Sequence, residues 1–184
     1  MNRFILYLFG FLLLAQANAL ACNFKISNFG DPKKDYSKMK IPVEGGVLPM
    51  IPPIIMPDQF GGETVFIPTE DICVNEKSLY GTAIDYLYVD SKLVLITATR
   101  SLNDKNLLNY AMQKFGFFDL PKGIKKIDWQ GNYTWESGND IIQYIATSSN
   151  NSGKIEILQI TSKLYDNLIQ EYRERIIKWL EEKN

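Results

Sequence analysis

Histidine is absent from this chain of 184 residues. Its absence excludes Ser-His-Asp and Cys-His catalysis, and it excludes zinc sites that use imidazole ligands. Phosphate-binding glycine loops are missing as well, because Gly45-Gly46 and Gly61-Gly62 lack the spacing and the strand-to-helix context of such loops. Asp-x-Asp runs typical of calcium loops do not occur. The sequence therefore predicts no metal and no cofactor, and an enzyme of this composition would depend on carboxylates.

An excess of basic charge is also lacking. The chain has 20 Lys and Arg residues against 21 Asp and Glu residues, which gives a formal net charge of −1. Nucleic-acid-binding domains usually carry a strong positive surface, so we expect no nucleic-acid partner. Hydrophobic residues make up 46% of the chain and charged residues 22%, which is ordinary for one globular domain and argues against extensive disorder.

The longest uncharged apolar run, residues 4–15, is too short to span a membrane. As a helix its twelve residues would reach about 18 Å, against roughly 30 Å of bilayer hydrocarbon. Arg3 precedes the run and small residues follow it, which is the pattern of a secretory signal peptide. We predict a signal peptide of residues 1–19, with cleavage after Ala19 or Ala21. Residues 20–184 then form a single exported domain, periplasmic or secreted.

The chain has only two cysteines, Cys22 and Cys73. In an oxidising compartment two cysteines most simply form one disulfide, and closing a loop of this length stabilises a protein by about 4 kcal/mol. The alternative is lipidation of Cys22, because the preceding residues 19–21 resemble a bacterial lipoprotein cleavage box. That alternative leaves Cys73 unpaired and is the only one that brings a membrane contact. The sequence favours the disulfide.

Proline is concentrated in one segment, since six of the eight prolines lie in residues 32–61. Proline lacks a backbone donor, so we expect neither a helix nor a central strand in this Pro-rich flap. The flap is nevertheless strongly apolar. We favour a flap whose Ile, Met and Val side chains complete the core. The alternative is an exposed apolar patch that binds a partner through Met50, Ile54 and Ile55.

The remaining pattern predicts an α+β fold. Two β-rich runs in residues 79–100 flank a polar break at residues 90–92, which indicates a β-hairpin inside a sheet. Helical apolar spacing appears in residues 104–116 and again in residues 164–181. We predict an antiparallel sheet of about five to six strands with two helices packed on one face. Similar strand–strand–helix patterns suggest two ββα repeats.

Few residues are candidates for a catalytic, binding or modification site. Asp85 lies inside an apolar strand and is a candidate buried acid, whereas Glu70 and Asp71 are expected in a solvated turn. Three aromatic residues cluster near two glycines and form either a partner-binding surface or part of the core; they are Trp129, Tyr133 and Trp135. Asn132 and Asn150 begin glycosylation sequons, which matter only in a eukaryotic source.

These observations lead to a functional hypothesis. We expect a small exported interaction module of the cell envelope or periplasm, not an enzyme, which binds a protein or peptide partner. The alternative is a small carboxylate-based hydrolase acting on glycans, with Asp85 as the acid to test.

Overall fold

The computed structural model describes residues 22–36, 40–43, 46–49, 52–101, 104–149 and 153–183. The predicted signal peptide, both cleavage positions and Met50 therefore lie outside the described residues. The strands are β1 Lys40–Val43, β2 Gly46–Pro49, β3 Ile54–Pro57, β4 Gly62–Pro68, β5 Ala83–Val89, β6 Lys92–Arg100, β7 Gly131–Ser137, β8 Asp140–Ser149 and β9 Gly153–Ser162. The helices are α1 Thr69–Ile72, α2 Asn106–Phe115 and α3 Asp166–Lys183.

Seven strands form one antiparallel sheet, in the order β3-β4-β5-β6-β9-β8-β7. The predicted α+β class with an antiparallel sheet is confirmed, although the main sheet has more strands than expected. The additional strand is β3, which lies within the flap. β1 and β2 pair only with each other.

The hairpin of β5 and β6 is the centre of the sheet, as the sequence predicts. Its turn residues Asp90 and Ser91 both have positive φ, 47° and 65°, which matches a two-residue turn whose twist suits a hairpin. A bulge interrupts the pairing: Leu87 faces Leu95 and Tyr88 faces Leu93, so Val94 is the extra residue. The bulge places Val94 and Leu95 on the same face of the sheet.

One face of the sheet, which we call the first face, carries the main core. Ile84, Tyr86 and Tyr88 point to this side and are almost fully buried. α2 covers them through Leu107 and Leu108, since its apolar residues recur at helical spacing. Residues 22–36 complete the cover, and Phe24 stacks on Tyr110 with ring centroids 4.4 Å apart.

α3 packs on the opposite side, the second face. It contacts a smaller cluster that includes Val89 and Val94, and Ile169 is its only buried residue. The prediction that both helices pack on one face is therefore wrong. The first face is already filled by α2 and residues 22–36, so the apolar stripe of α3 covers the apolar end of the second face instead.

The suggested ββα repeat holds for the strands and fails for the helices. Ile84 and Tyr86 in β5 and Ile142 and Tyr144 in β8 all point to the first face. However, α2 follows the first hairpin onto the first face, whereas α3 follows the second hairpin onto the second face. The similarity therefore does not extend over the complete unit.

The flap also differs from the favoured prediction. β3 pairs with β4 at the edge of the main sheet, and its side chains stay exposed: Ile54 by 60%, Ile55 by 43% and Met56 by 53%. These side chains do not complete the core. The reason is position, because an outermost strand has a neighbour on one side only.

The two cysteines are joined. Cys22 and Cys73 form a disulfide across a sequence separation of 51 residues, and both are buried. The bond ties residues 22–36 to the end of α1, and it occupies the sulfur that lipidation would need. Such a bond is typical of a location outside the cytoplasm. In the described part of the chain, no helix is both long and apolar enough to cross a membrane.

Candidate binding groove

The second face is only partly covered, and its polar side chains form a row across the sheet. The strand register places Asp85, Thr97, Gln159, Gln143 and Thr134 side by side, and the apolar Phe66 stands next to Asp85 at one end of the row. Directly opposite residues in antiparallel strands lie close enough for their side chains to interact. α3 packs beside this row, against Val89 of β5 and Val94 of β6, and a groove lies between α3 and strands β8 and β9.

This groove lies between α3 and strands β8 and β9 and has a volume of about 480 Å³. Gln143 stands opposite Gln159 in its floor, and Ile141 stands opposite Thr161. The other wall is one stripe of α3. Its lining residues are Asp166, Asn167, Ile169, Gln170 and Arg173. Asp166, Ile169, Gln170 and Arg173 are at positions i, i+3, i+4 and i+7, which share one side of a helix, and Asn167 follows Asp166 in the first turn.

The groove presents unpaired polar groups. Within the part of the chain that the structure describes, the side chains of Gln143, Gln159 and Asn167 have no hydrogen-bond partner, and Gln170 has one long contact to Glu174 at 3.4 Å. Asp166 and Arg173 likewise form no ion pair there. A side-chain amide carries both donors and an acceptor. The groove therefore offers both hydrogen-bond donors and acceptors, and Ile141 and Ile169 are its apolar lining residues.

Asp85 is half-buried in the middle of the second face. Burial raises the pKa of its carboxyl. Its direct cross-strand neighbours are Phe66 and Thr97, so no second carboxylate stands opposite it. Glycosidases need two carboxyl groups about 5–10 Å apart. The surroundings of Asp85 give no support to the hydrolase hypothesis.

The other acids singled out from the sequence lie elsewhere. Glu70 and Asp71 belong to the short helix α1, and Glu70 accepts a hydrogen bond from the backbone N–H of Gly81 at 2.7 Å. Burial, with a contribution from Glu70, raises the pKa of Asp71. Neither residue lies in the row that contains Asp85, so the structure does not bring the three acids together.

The three aromatic candidates belong to the first face. Trp129 and Trp135 are 6% and 8% exposed, and Tyr133 stacks on Phe118 with ring centroids 3.9 Å apart. The indole N–H of Trp135 donates to the carbonyl of Gly116 at 2.8 Å. This burial corrects the interpretation as a partner-binding surface, because the indole rings face the core.

The flap residues lie at the β3 edge, which is protected. Asp58 donates its backbone N–H to Gly62, so by alternation Met56 and Ile54 bond to β4 while Ile55 and Pro57 direct their backbone outward. Proline at positions 53 and 57 supplies no N–H, which leaves Ile55 as the only outward donor of this short strand. A partner strand would find few hydrogen bonds here.

A second depression, of about 550 Å³, lies between the turn at residues 59–61 and the C-terminal half of α3. Among its charged lining residues, Arg175 pairs with Asp90 at 3.2 Å, whereas Lys178 and Glu182 form no ion pair with any described residue. The groove beside β8 and β9 is the better candidate for binding a peptide, because four of its lining residues are amides and this depression has one, Gln59.

Sequence reasoning missed one buried acid, Glu156. It is 2% exposed and accepts hydrogen bonds from the backbone N–H of Leu108 at 2.9 Å and from the Tyr144 hydroxyl at 3.0 Å. The carboxylate thereby caps the start of α2, and burial raises its pKa. The alternation of β9 contains the signal, because Glu156 is in phase with the buried Leu158 and Ile160.

No protein-family profile, curated protein or solved structure matches this chain. Its function has to be inferred from the geometry of the groove and from the sequence.

Proposed function

We propose that this protein is an exported, non-catalytic interaction module of the periplasm or the extracellular space that binds a peptide or protein segment. The observation that carries the proposal is the groove between α3 and strands β8 and β9, with its unpaired amides. Peptide groups have one donor and one acceptor per residue, and side-chain amides complement both. The disulfide and the signal-peptide pattern support the exported location.

The test is an NMR titration of the oxidised protein with pools of short peptides and, separately, with pools of oligosaccharides. We expect the peptides to shift the side-chain amide resonances of Gln143 and Gln159 in a saturable manner. Shifts confined to another surface, or binding of oligosaccharides alone, would contradict the proposal.

A matched pair of variants locates the site. Gln143→Ala removes one amide from the groove floor and should weaken peptide binding. Gln113→Ala removes an exposed amide from α2, outside the groove, and should leave peptide binding unchanged. Equal effects of the two substitutions would place the site elsewhere.

A further inference from the structure

The charges around the groove fall into two groups, paired and unpaired. Lys163 pairs with Glu136 at 2.6 Å, and Lys25 pairs with Asp140 at 2.6 Å. Among the described residues, Asp166 and Arg173 have no such partner although both line the groove. An acid and a base without partners on one wall are the charges available to a ligand.

Their separation sets the size of that ligand. Asp166 and Arg173 are seven residues apart on α3, and at 1.5 Å per residue they lie about 10 Å apart along the helix axis. An extended peptide covers about 3.3–3.6 Å per residue. A span of about 10 Å therefore corresponds to about three residues.

From this pattern we infer that the groove binds short peptides of about three residues with both termini free. The terminal ammonium lies at Asp166, the terminal carboxylate lies at Arg173, and the peptide groups between them bond to Gln143, Gln159 and Gln170. The inference rests on the proposed function and adds the ligand's length, its free ends and its direction.

The composition of the groove favours a peptide over a saccharide. None of its nine lining residues is aromatic, so a sugar ring finds no flat surface to stack on. Guanidinium groups bind carboxylates through two parallel hydrogen bonds, which suits Arg173 for a chain terminus. Ile141 and Ile169 supply apolar surface for a ligand side chain.

The decisive experiment compares pools of tripeptides that differ only at their ends: free, N-acetylated, C-amidated and blocked at both ends. Binding to the oxidised protein is measured by NMR titration. We expect blocking either end to weaken binding by about tenfold, since a charge-assisted hydrogen bond contributes at least about 1.5 kcal/mol and 1.4 kcal/mol is tenfold.

Variants assign each end. Asp166→Asn should weaken binding of the free pool and leave the N-acetylated pool unchanged, because the acetyl group has already removed the ammonium. Arg173→Gln should weaken binding of the free pool and leave the C-amidated pool unchanged. Glu171→Gln and Lys178→Gln alter exposed charges of α3 outside the groove lining and should change neither.

Failure of the inference is distinct from failure of the proposed function. If blocked and free tripeptides bind equally, or only longer peptides bind at Gln143 and Gln159, the assigned ends are wrong and the proposed function stands. If no peptide pool binds there, both are overturned.

Discussion

The two faces of the sheet differ in how they are covered. The first face is closed by α2 and residues 22–36, and this packing fully buries Tyr86 of β5 and Leu107 of α2. The second face is packed against α3 at one end only, and beyond that end it carries amides and the half-buried Asp85. The difference teaches that one sheet can bury a complete core on one side and keep polar side chains accessible on the other.

The largest loss of stability should come from removing the disulfide that holds residues 22–36 on the first face. Replacing both cysteines, Cys22→Ser with Cys73→Ser, removes a link that closes 51 residues of sequence. The loop-entropy relation gives a loss of about 4 kcal/mol in the free energy of unfolding. Urea denaturation measures it, with the reduced wild type as control. A loss below about 1 kcal/mol would show that the disulfide contributes little to the stability of the cover that residues 22–36 form over the first face.

A matched pair of leucines compares the two faces directly. Leu107→Ala empties a fully buried site under α2 and should cost about 3 kcal/mol. Leu168→Ala on α3 removes a partly buried side chain and should cost about 1 kcal/mol. Urea denaturation of both variants gives the difference. Equal losses would contradict the unequal cover of the faces.

Glu156 should make the free energy of unfolding depend on pH. Burial raises the pKa of its carboxyl above the ordinary value of 4.5. The folded state therefore binds the proton more tightly, and this contribution to stability is fully present below about pH 4.5 and lost as pH rises through the folded pKa. Glu156→Gln should remove it. The free energy of unfolding, measured from pH 4 to 8, should fall with rising pH more in the wild type than in the variant.

Asp85 should show the same sign on the second face, with a smaller amplitude. Its raised pKa also makes the carboxyl more stabilising below about pH 3.8 than at neutral pH. Asp85→Asn should remove this dependence, in denaturation experiments from pH 3 to 7. The amplitude should be below that of Glu156→Gln because Asp85 is only half-buried. A larger amplitude would mean that Asp85 is buried more deeply than a half-covered face allows.

Substitutions at the β3 edge should change the association state of the protein more than its stability. Pro53→Val with Pro57→Val restores two outward N–H groups beside Ile55 and should lower the free energy of unfolding by less than about 2 kcal/mol. Its main effect should be self-association through the edge, visible as concentration-dependent elution in size-exclusion chromatography. The control is Ile55→Val, which adds no donor. A monomeric double variant would show that the prolines do not protect the edge.

Local patterns predicted much of the fold. The hairpin at residues 79–100 follows from β-branched runs around Asp90 and Ser91, and α3 follows from its apolar spacing. The disulfide follows from the count of two cysteines. The faces of the helices could not be predicted, because amphipathicity shows that a helix buries a stripe and not which side of the sheet receives it.

The groove also could not be predicted from the sequence. Gln143 and Gln159 are sixteen positions apart and look like ordinary exposed strand residues until the register of β8 and β9 sets them opposite each other. Arg173 and Asp166 were on the helix that the sequence predicted, but the strands beneath them were unknown. For Trp129 the sequence left a partner-binding surface and the core as alternatives. A cluster of aromatic residues near glycines is compatible with both, and only the structure shows that the ring of Trp129 is buried.

The strand order has a consequence for how the chain folds. β3 to β6 form one run of neighbouring hairpins and β7 to β9 form another, and the two runs join only where β6 pairs with β9, for example Arg100 with Glu156. Contacts so distant in sequence form slowly, because a long loop must close first. We expect the pairing of β6 with β9 to form last, after each run has assembled. Only then does Glu156 reach the start of α2.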